Sequence, residues 1–181
     1  MLKLRYDGFA KLLHWLVALA VIILICVGWY MADLRPSPDK IRLYVTHKSL
    51  GLTVLALMTI RALWRLSHQP PPLPQTIPAW QRSASMFSHL LLYVMLFMMP
   101  LSGWLMNSAS GFPAKWFGLF KVPNLITRDS SALELWQDVH FYSAWILMTL
   151  IFVHIAAALK HHFIDRDSVL LRMLPFNRRA P

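Results

Sequence analysis

The stretch Leu135–Leu159, LWQDVHFYSAWILMTLIFVHIAAAL, indicates both the fold and the chemistry of this chain. It is long and apolar enough to cross the ~30 Å hydrocarbon layer of a membrane as a helix. Within it, His140 and His154 are separated by fourteen residues. That spacing is almost four helical turns, so both imidazoles project from nearly the same face, about 21 Å apart along the axis. One helix can therefore supply ligands to two stacked sites.

The composition indicates a membrane protein. Hydrophobic residues make up 57% of the 181 residues and charged residues only 14%, whereas typical soluble domains have roughly 45–50% and about 25%. The length predicts a single domain, residues 1–181. Four apolar segments are long enough to span a membrane as helices, near Leu12–Ala32, Arg42–Leu66, Ala84–Met106 and Leu135–Leu159. The sequence therefore predicts an all-α membrane protein, a four-helix transmembrane bundle.

The connecting segments have the composition of membrane-surface loops. Prolines interrupt the first connector, Asp33 to Lys40, and the second, Gln69 to Trp80. The third connector, Asn107 to Glu134, is the longest and mixes glycines and prolines with aromatic residues. We expect it to lie along the membrane interface rather than to project as a free loop.

The distribution of positive charges predicts the orientation of the spans. If the N-terminus is cytoplasmic, eleven of the eighteen Lys and Arg residues lie on the cytoplasmic side, as the positive-inside rule requires. These eleven are Lys3, Arg5, Lys11, Arg61, Arg65, Arg82, Lys160, Arg166, Arg172, Arg178 and Arg179. We therefore predict that both termini are cytoplasmic. The net charge of +10 suits anionic lipid better than nucleic acid, because the chain has no sizeable soluble domain.

Each of the other three spans also carries a histidine: His14, His47 and His89. An ionisable side chain inside a membrane is costly, so such residues are functional by default. The predicted orientation places His47 and His140 at one depth near the outer surface. It places His154 near the inner surface, with either His14 or His89 as its partner. Facing histidines at matched depth are the arrangement that a haem iron with two axial imidazoles requires.

Small residues beside the histidines provide a further criterion, because a bulky neighbour one turn along would crowd a flat macrocycle. Ala18, Gly51, Ala144 and Ala158 lie four residues after His14, His47, His140 and His154, whereas Tyr93 follows His89. This favours His14 over His89 as the partner of His154, although small residues also suit ordinary helix packing. The only cysteine, Cys26, cannot form an intramolecular disulfide or a Cys-x-x-Cys-His attachment. Any haem is therefore bound non-covalently.

Several motifs, in order and spacing, resemble the bacterial cytochrome b561 family. They are Leu13-His14-Trp15, Thr46-His47-Lys48-Ser49-Leu50-Gly51, Arg61-Ala62-Leu63-Trp64-Arg65, Met99-Pro100-Leu101-Ser102-Gly103-Trp104 after His89, Ala158-Leu159-Lys160-His161-His162 after His140 and His154, and Leu171-Arg172-Met173-Leu174-Pro175. The layout is also similar to the membrane cytochrome subunits of formate dehydrogenases and hydrogenases. The resemblance implies a multi-pass protein of the bacterial inner membrane with two haem b groups. It implies that His14 and His154 hold one haem iron, and that His47 and His140 hold the other.

Two cofactors stacked along one helix indicate electron transfer across the bilayer. Some members of the resembled family are superoxide oxidases, which take electrons from periplasmic superoxide and reduce ubiquinone at the inner side. The basic outer loops suit an anionic donor, and Lys48, next to His47, is our candidate for guiding it. At the inner end His161 is the candidate for proton exchange with ubiquinone. Arg61 is the candidate partner for a haem propionate, although it can equally snorkel to the lipid surface.

Two other functions remain compatible with the sequence. The chain can be a cytochrome b subunit that exchanges electrons with a periplasmic protein partner. It can also be a metal-binding or structural membrane protein whose histidines bind Zn²⁺ or form hydrogen bonds between helices. The absence of a carboxylate deep within any span disfavours a cation path.

Overall fold

Four long helices and one small hairpin make up the fold. A computed structural model describes residues 5–74 and 76–175. The helices are α1 (Gly8–Asp33), α2 (Pro38–Ser67), α3 (Ala79–Ser110) and α4 (Ser130–Phe163). All four are long and apolar enough to cross a membrane, which confirms the predicted all-α class. Three residues of the charge count, Lys3, Arg178 and Arg179, lie outside the described residues.

The helices contain the predicted spans and extend beyond them, and polar side chains rather than hydropathy set the starts of α1, α2 and α4. Asp7 Oδ1 accepts the Ala10 N–H at 2.8 Å at the start of α1. Ser37 Oγ accepts the Lys40 N–H at 3.1 Å before α2, and Asp129 Oδ1 accepts N–H groups of α4. These contacts satisfy backbone donors that a helix start leaves without partners.

Consecutive helices pack most closely: α1 on α2, α2 on α3, and α3 on α4. A buried apolar cluster at mid-height joins all four helices and consists of Val17, Ala20, Val21, Val54, Met58, Leu92 and Leu147. Among the described residues, α4 is not closely packed at the backbone level against α1 or α2. Instead, aromatic side chains make contacts between these helices. For example, the ring centres of Trp29 on α1 and Trp145 on α4 are 5.4 Å apart.

The chain enters and leaves at one end of the bundle, which we call the terminal end. There the segment after α4 folds back, and its 3-10 helix spans Leu170–Arg172. Trp15 Nε1 donates to the Met173 carbonyl at 3.0 Å. The Arg172 guanidinium donates to the Pro72 carbonyl at 2.6 Å. This segment therefore ties α1 to the proline-rich connector.

An antiparallel hairpin lies at the opposite end, which we call the hairpin end. Its strands are β1 (Ala114–Trp116) and β2 (Phe120–Val122). Trp116 Nε1 donates to Thr53 Oγ1 at 3.1 Å, and the Phe117 N–H donates to Ser49 Oγ at 2.9 Å. The long connector between α3 and α4 is thus held against the side of α2.

Candidate functional site

Two pairs of histidines face each other at two levels of α4. At the hairpin end, the ring centres of His47 on α2 and His140 on α4 are 6.4 Å apart. At the terminal end, those of His14 on α1 and His154 on α4 are 6.3 Å apart. The structure thus brings together the four histidines that the sequence analysis grouped as ligands.

Both separations match the spacing of two axial imidazoles on one metal ion. A metal–imidazole nitrogen bond is about 2.0–2.1 Å, and a ring nitrogen lies about 1.1 Å from the ring centre, so two axial rings have centres about 6.2 Å apart. The observed 6.3 and 6.4 Å agree with this value. The four residues therefore fit two haem irons, one for each pair, and α4 is not closely packed at the backbone level against the helices that carry the partner histidines.

Hydrogen bonding fixes the tautomer of His140. Its Nδ1 lies 3.1 Å from the Met99 carbonyl oxygen and 3.0 Å from Ser102 Oγ. A carbonyl oxygen only accepts, so Nδ1 carries the proton and Nε2 is free to bind a metal. A ligand histidine that donates its other N–H to a carbonyl is the usual arrangement at metal sites.

His47 differs from His140 because its Nδ1 is buried without a hydrogen-bond partner among the described residues. Such an orphaned ring nitrogen is unusual for a histidine that only packs. A Cβ added at Gly51, one turn along α2, would meet no atom within 4 Å. The orphaned Nδ1 itself faces Gly28 of α1, 3.8 Å from a Cβ built there, so Nε2 is the ring nitrogen that would bind a metal.

Glycines on neighbouring helices lie against the two hairpin-end imidazoles. A Cβ built at Gly28 of α1 would lie 3.2 Å from His47 Cε1. A Cβ built at Gly103 of α3 would lie 3.2 Å from His140 Cε1. Since both contacts are tighter than ordinary van der Waals packing, each glycine provides the space that its histidine ring occupies.

A third histidine, His89 of α3, adjoins the terminal-end pair. Its ring centre lies 5.4 Å from that of His154, which is shorter than the axial spacing of about 6.2 Å. Its Nδ1 donates to the Ser85 carbonyl at 2.6 Å. The distance favours His14 over His89 as the residue opposite His154.

An apolar layer separates the two levels. Leu147 lies seven residues from both His140 and His154, about 10 Å from each along the helix. It belongs to the mid-height cluster, in which Met58 is fully buried. Buried apolar side chains therefore lie between the two histidine levels.

A cleft opens at the terminal end between α1, α2, α3 and the proline-rich connector. Arg61 and Arg65 lie there, with guanidinium carbons 6.0 and 5.5 Å from the centre of the Tyr93 ring. Arg61 also donates to the Ala10 carbonyl at 3.1 Å. It is within electrostatic range of His14 and His154, a position that suits a counter-charge for a haem propionate.

An acidic group, Asp7, lines the same cleft. Burial raises the pKa of the Asp7 carboxyl, but hydrogen bonds from the Ala10 N–H and Trp64 Nε1 outweigh burial and place the pKa below its usual value. Asp7 is therefore a carboxylate that partly balances the arginines.

His161 lies just beyond the terminal-end histidine pair, in the last turn of α4. Its Nδ1 is 2.6 Å from Asp167 Oδ2 and 3.2 Å from Asp165 Oδ2. A carboxylate that holds Nδ1 leaves Nε2 as the ring nitrogen available for proton exchange. Both carboxylates belong to the segment after α4. Hydropathy alone does not predict that this segment folds back next to His161.

Lys48 is held in a fixed position beside His47. Its ammonium donates to Asn107 Oδ1 at 2.8 Å and lies 6.0 Å from the centre of the Tyr44 ring. The amide of Asn107 in turn donates to the Phe112 carbonyl at 3.1 Å. The charge of Lys48 is thus tied to the connector that covers the hairpin end.

Comparison with known proteins gives concordant matches. Residues 5–176 match a family model described as prokaryotic cytochrome b561. "Cytochrome b561 homolog 2" of Escherichia coli (strain K12) is 36% identical over 178 residues, which cover 94% of this chain and 91% of that protein. "Cytochrome b561 homolog 1" of the same organism is 32% identical over 175 residues, with 94% and 97% covered. "Probable superoxide oxidase CybB" of Yersinia pestis is 30% identical over 178 residues, with 96% and 98% covered.

Proposed function

Because the chain belongs to the prokaryotic cytochrome b561 family of haem b-binding membrane electron-transfer proteins, we propose that it transfers electrons across the bilayer from superoxide to ubiquinone. The single observation that carries this proposal is that two pairs of histidines face each other at two levels of α4. Two redox centres along one helix connect the two faces of a membrane.

In this proposal His14 and His154 hold one haem b, and His47 and His140 hold the other. When bound, each haem supplies an iron that accepts and releases one electron at a time. The protein orients the ligands: the Met99 carbonyl sets the tautomer of His140, and Gly28 and Gly103 leave room for the imidazoles of the hairpin-end pair. Arg61 would neutralise a propionate at the terminal end.

The proposed orientation places the terminal end in the cytoplasm and the hairpin end in the periplasm, within the bacterial inner membrane. The sequence count supports it, since eleven of the eighteen Lys and Arg residues fall on the side predicted to be cytoplasmic. The single domain, residues 1–181, would then present the His47 level to the donor and the His154 level to the quinone pool.

Superoxide is the proposed donor because the hairpin end carries seven Lys and Arg residues against five carboxylates, Asp33, Asp39, Asp129, Glu134 and Asp138, and because a relative is named as a probable superoxide oxidase. The Lys and Arg residues of this end are Arg35, Lys40, Arg42, Lys48, Lys115, Lys121 and Arg128. Such a surface raises the encounter rate of a small anion by electrostatic steering. Lys48 is the proposed guiding residue, since Asn107 fixes its charge next to His47.

Ubiquinone is the proposed acceptor at the terminal end. Oxidation of two superoxide ions yields two molecules of O₂ and two electrons. One ubiquinone takes up these two electrons with two protons to form ubiquinol. His161 is the proposed proton-exchanging residue, with Nδ1 held by Asp167 and protons supplied from the cytoplasmic solution.

The proposal is tested by measuring superoxide-dependent ubiquinone reduction by the purified protein in zwitterionic lipid. The variant Lys48→Gln/Lys121→Gln should reduce the rate about tenfold and flatten its dependence on ionic strength, with unchanged haem content. Arg82→Gln, an exposed terminal-end change, is the control and should leave the rate as in the unaltered protein. Equal rates and salt dependence in the lysine variant would contradict the steering role.

The competing functions give different results in the same experiment. A cytochrome that serves a periplasmic protein would show no turnover with superoxide alone and a salt-sensitive complex with its partner. A structural or zinc-binding protein would purify without the absorption of b-type haem.

A further inference from the structure

The hairpin carries two lysines directly opposite each other. The strand register pairs Lys115 with Lys121, Trp116 with Phe120, and Ala114 with Val122. Because side chains alternate along a strand, both lysines are on one face, and the other four paired residues are on the opposite face. Both lysines are exposed.

This pairing is electrostatically unfavourable for the isolated hairpin. Side chains directly opposite in an antiparallel pair have Cβ atoms about 4.5–5.5 Å apart, and like charges at that distance repel. In the described part of the chain, neither ammonium has an ion-pair or hydrogen-bond partner. An anion from outside the protein that bridges Lys115 and Lys121 would remove the repulsion.

The hairpin lies beside a part of α2 that belongs to a candidate membrane span. Its turn contacts Ser49 and Trp116 contacts Thr53, which lie two and six residues beyond His47. On the helix these residues are about 3 and 9 Å further toward the middle of the span. The hairpin therefore extends along the flank of the bundle at the depth of the hairpin-end histidines.

Apolar side chains at the tip of the hairpin are exposed, although Phe117 and Phe120 each contact the Trp116 ring. Phe117, Leu119 and Phe120 are 47%, 75% and 57% exposed. At this depth their surroundings are acyl chains, whereas lysine stems are long enough for the ammonium groups to reach the headgroup level. The hairpin thus has an apolar tip and a paired positive charge, a combination that matches a phospholipid.

We propose that Lys115 and Lys121 together bind the phosphate of an anionic phospholipid in the leaflet at the hairpin end. The headgroup phosphate lies between the two ammonium groups, and the acyl chains pack against Phe117 and Leu119 at the tip of the hairpin. Charge complementarity supplies the preference for an anionic lipid. This inference does not depend on the electron donor or acceptor; where the phosphate is bound, steering of an anionic donor falls to Lys48 and the other cations of the hairpin end.

The experiment uses the full protein in nanodiscs made from an equimolar mixture of phosphatidylcholine and phosphatidylglycerol. The ratio of the two lipids that remain bound after release is measured by native mass spectrometry. Lys115→Gln/Lys121→Gln should lower the preference for phosphatidylglycerol about thirtyfold, the loss expected for two lysine contacts at a membrane surface. Arg35→Gln/Arg42→Gln removes the same charge from exposed residues at the same end and should leave the preference intact.

A second variant separates lipid binding from the integrity of the hairpin. Lys121→Glu creates an opposite-charge pair with Lys115, which stabilises the hairpin while removing the phosphate site. We expect it to lose the preference for phosphatidylglycerol and to retain the haem content and thermal stability of the unaltered protein. An unaltered preference in either lysine variant, or an equal loss in the arginine control, would overturn the proposal.

Discussion

Each histidine of the two facing pairs has a separate expected effect on haem content. His47→Ala or His140→Ala should lose the hairpin-end haem and retain the other, because one axial ligand rarely holds haem as firmly as two. His14→Ala or His154→Ala should lose the terminal-end haem instead. Haem per polypeptide and the reduced-minus-oxidised spectrum measure the change. If His89→Ala removed the terminal-end haem while His14→Ala did not, the proposed pairing would be wrong.

Gly28 and Gly103, which leave space for the hairpin-end imidazoles, give a second prediction for single residues. In Gly28→Ala and Gly103→Ala the new Cβ lies 3.2 Å from an imidazole carbon, so the ring must shift by a few tenths of an ångström. We expect both variants to shift the midpoint potential and absorption of the hairpin-end haem only. Gly8→Ala is the control, since its Cβ would meet nothing within 4 Å. Identical potentials in all three variants would refute the role of the glycines.

The histidine depths were readable from the sequence because helix periodicity is regular over a membrane span. The partner of His154 was not fixed by periodicity, since His14 and His89 lie at the same depth. The structure also adds residues that carry no recognisable pattern of their own. Gly28 is one apolar-span residue among many, and Met99 acts through its backbone carbonyl. Such residues are identified only by the residues that lie next to them in the folded structure.

Among the elements, the turn of the hairpin is held to α2 by the buried hydroxyl of Ser49. Ser49 Oγ accepts the Phe117 N–H at 2.9 Å, and Phe117 has a φ of 45°, a strained conformation for this residue. Ser49→Ala leaves that N–H without a partner, which costs about 1–3 kcal/mol. We expect faster hydrogen exchange across residues 112–122 and a lower melting temperature.

Thr59→Ala is the matched control for this change, because the Thr59 hydroxyl bonds only the Leu55 carbonyl of its own helix and is exposed. It should leave exchange in the hairpin unaltered. Protection equal to that of the unaltered protein in Ser49→Ala would show that the hydroxyl does not hold the turn.

The four helices were predictable as elements because segments of twenty or more predominantly apolar residues have few alternatives. Their ends were predicted several residues short, since Asp7, Ser37 and Asp129 cap the helices from outside the apolar runs. The hairpin was not predicted from the third connector, where we expected only an interfacial segment. Its strands are three residues long, too short for an alternating pattern to be recognised.

For the whole molecule, the separation of the two histidine levels predicts a dependence on membrane voltage. The levels are about 21 Å apart along α4, roughly two-thirds of a ~30 Å hydrocarbon layer. Moving an electron inward over that distance against an inside-negative potential costs about 1.6 kcal/mol per 100 mV, since a full crossing costs about 2.3 kcal/mol. Superoxide-dependent quinone reduction in proteoliposomes should slow when an inside-negative potential is imposed and recover when an ionophore collapses it. A rate independent of voltage would contradict transfer across the apolar layer.

The apolar layer around Leu147 also bears on energy conservation. With the orientation, donor and acceptor proposed above, an electron that crosses it inward would leave the outer compartment more positive, and the protons used at the terminal end would be taken from the inner compartment. Both movements have the sign of proton pumping by a respiratory chain. Removal of a toxic oxygen species by this protein would therefore also charge the membrane, and the energy released would be retained as proton-motive force instead of being lost as heat.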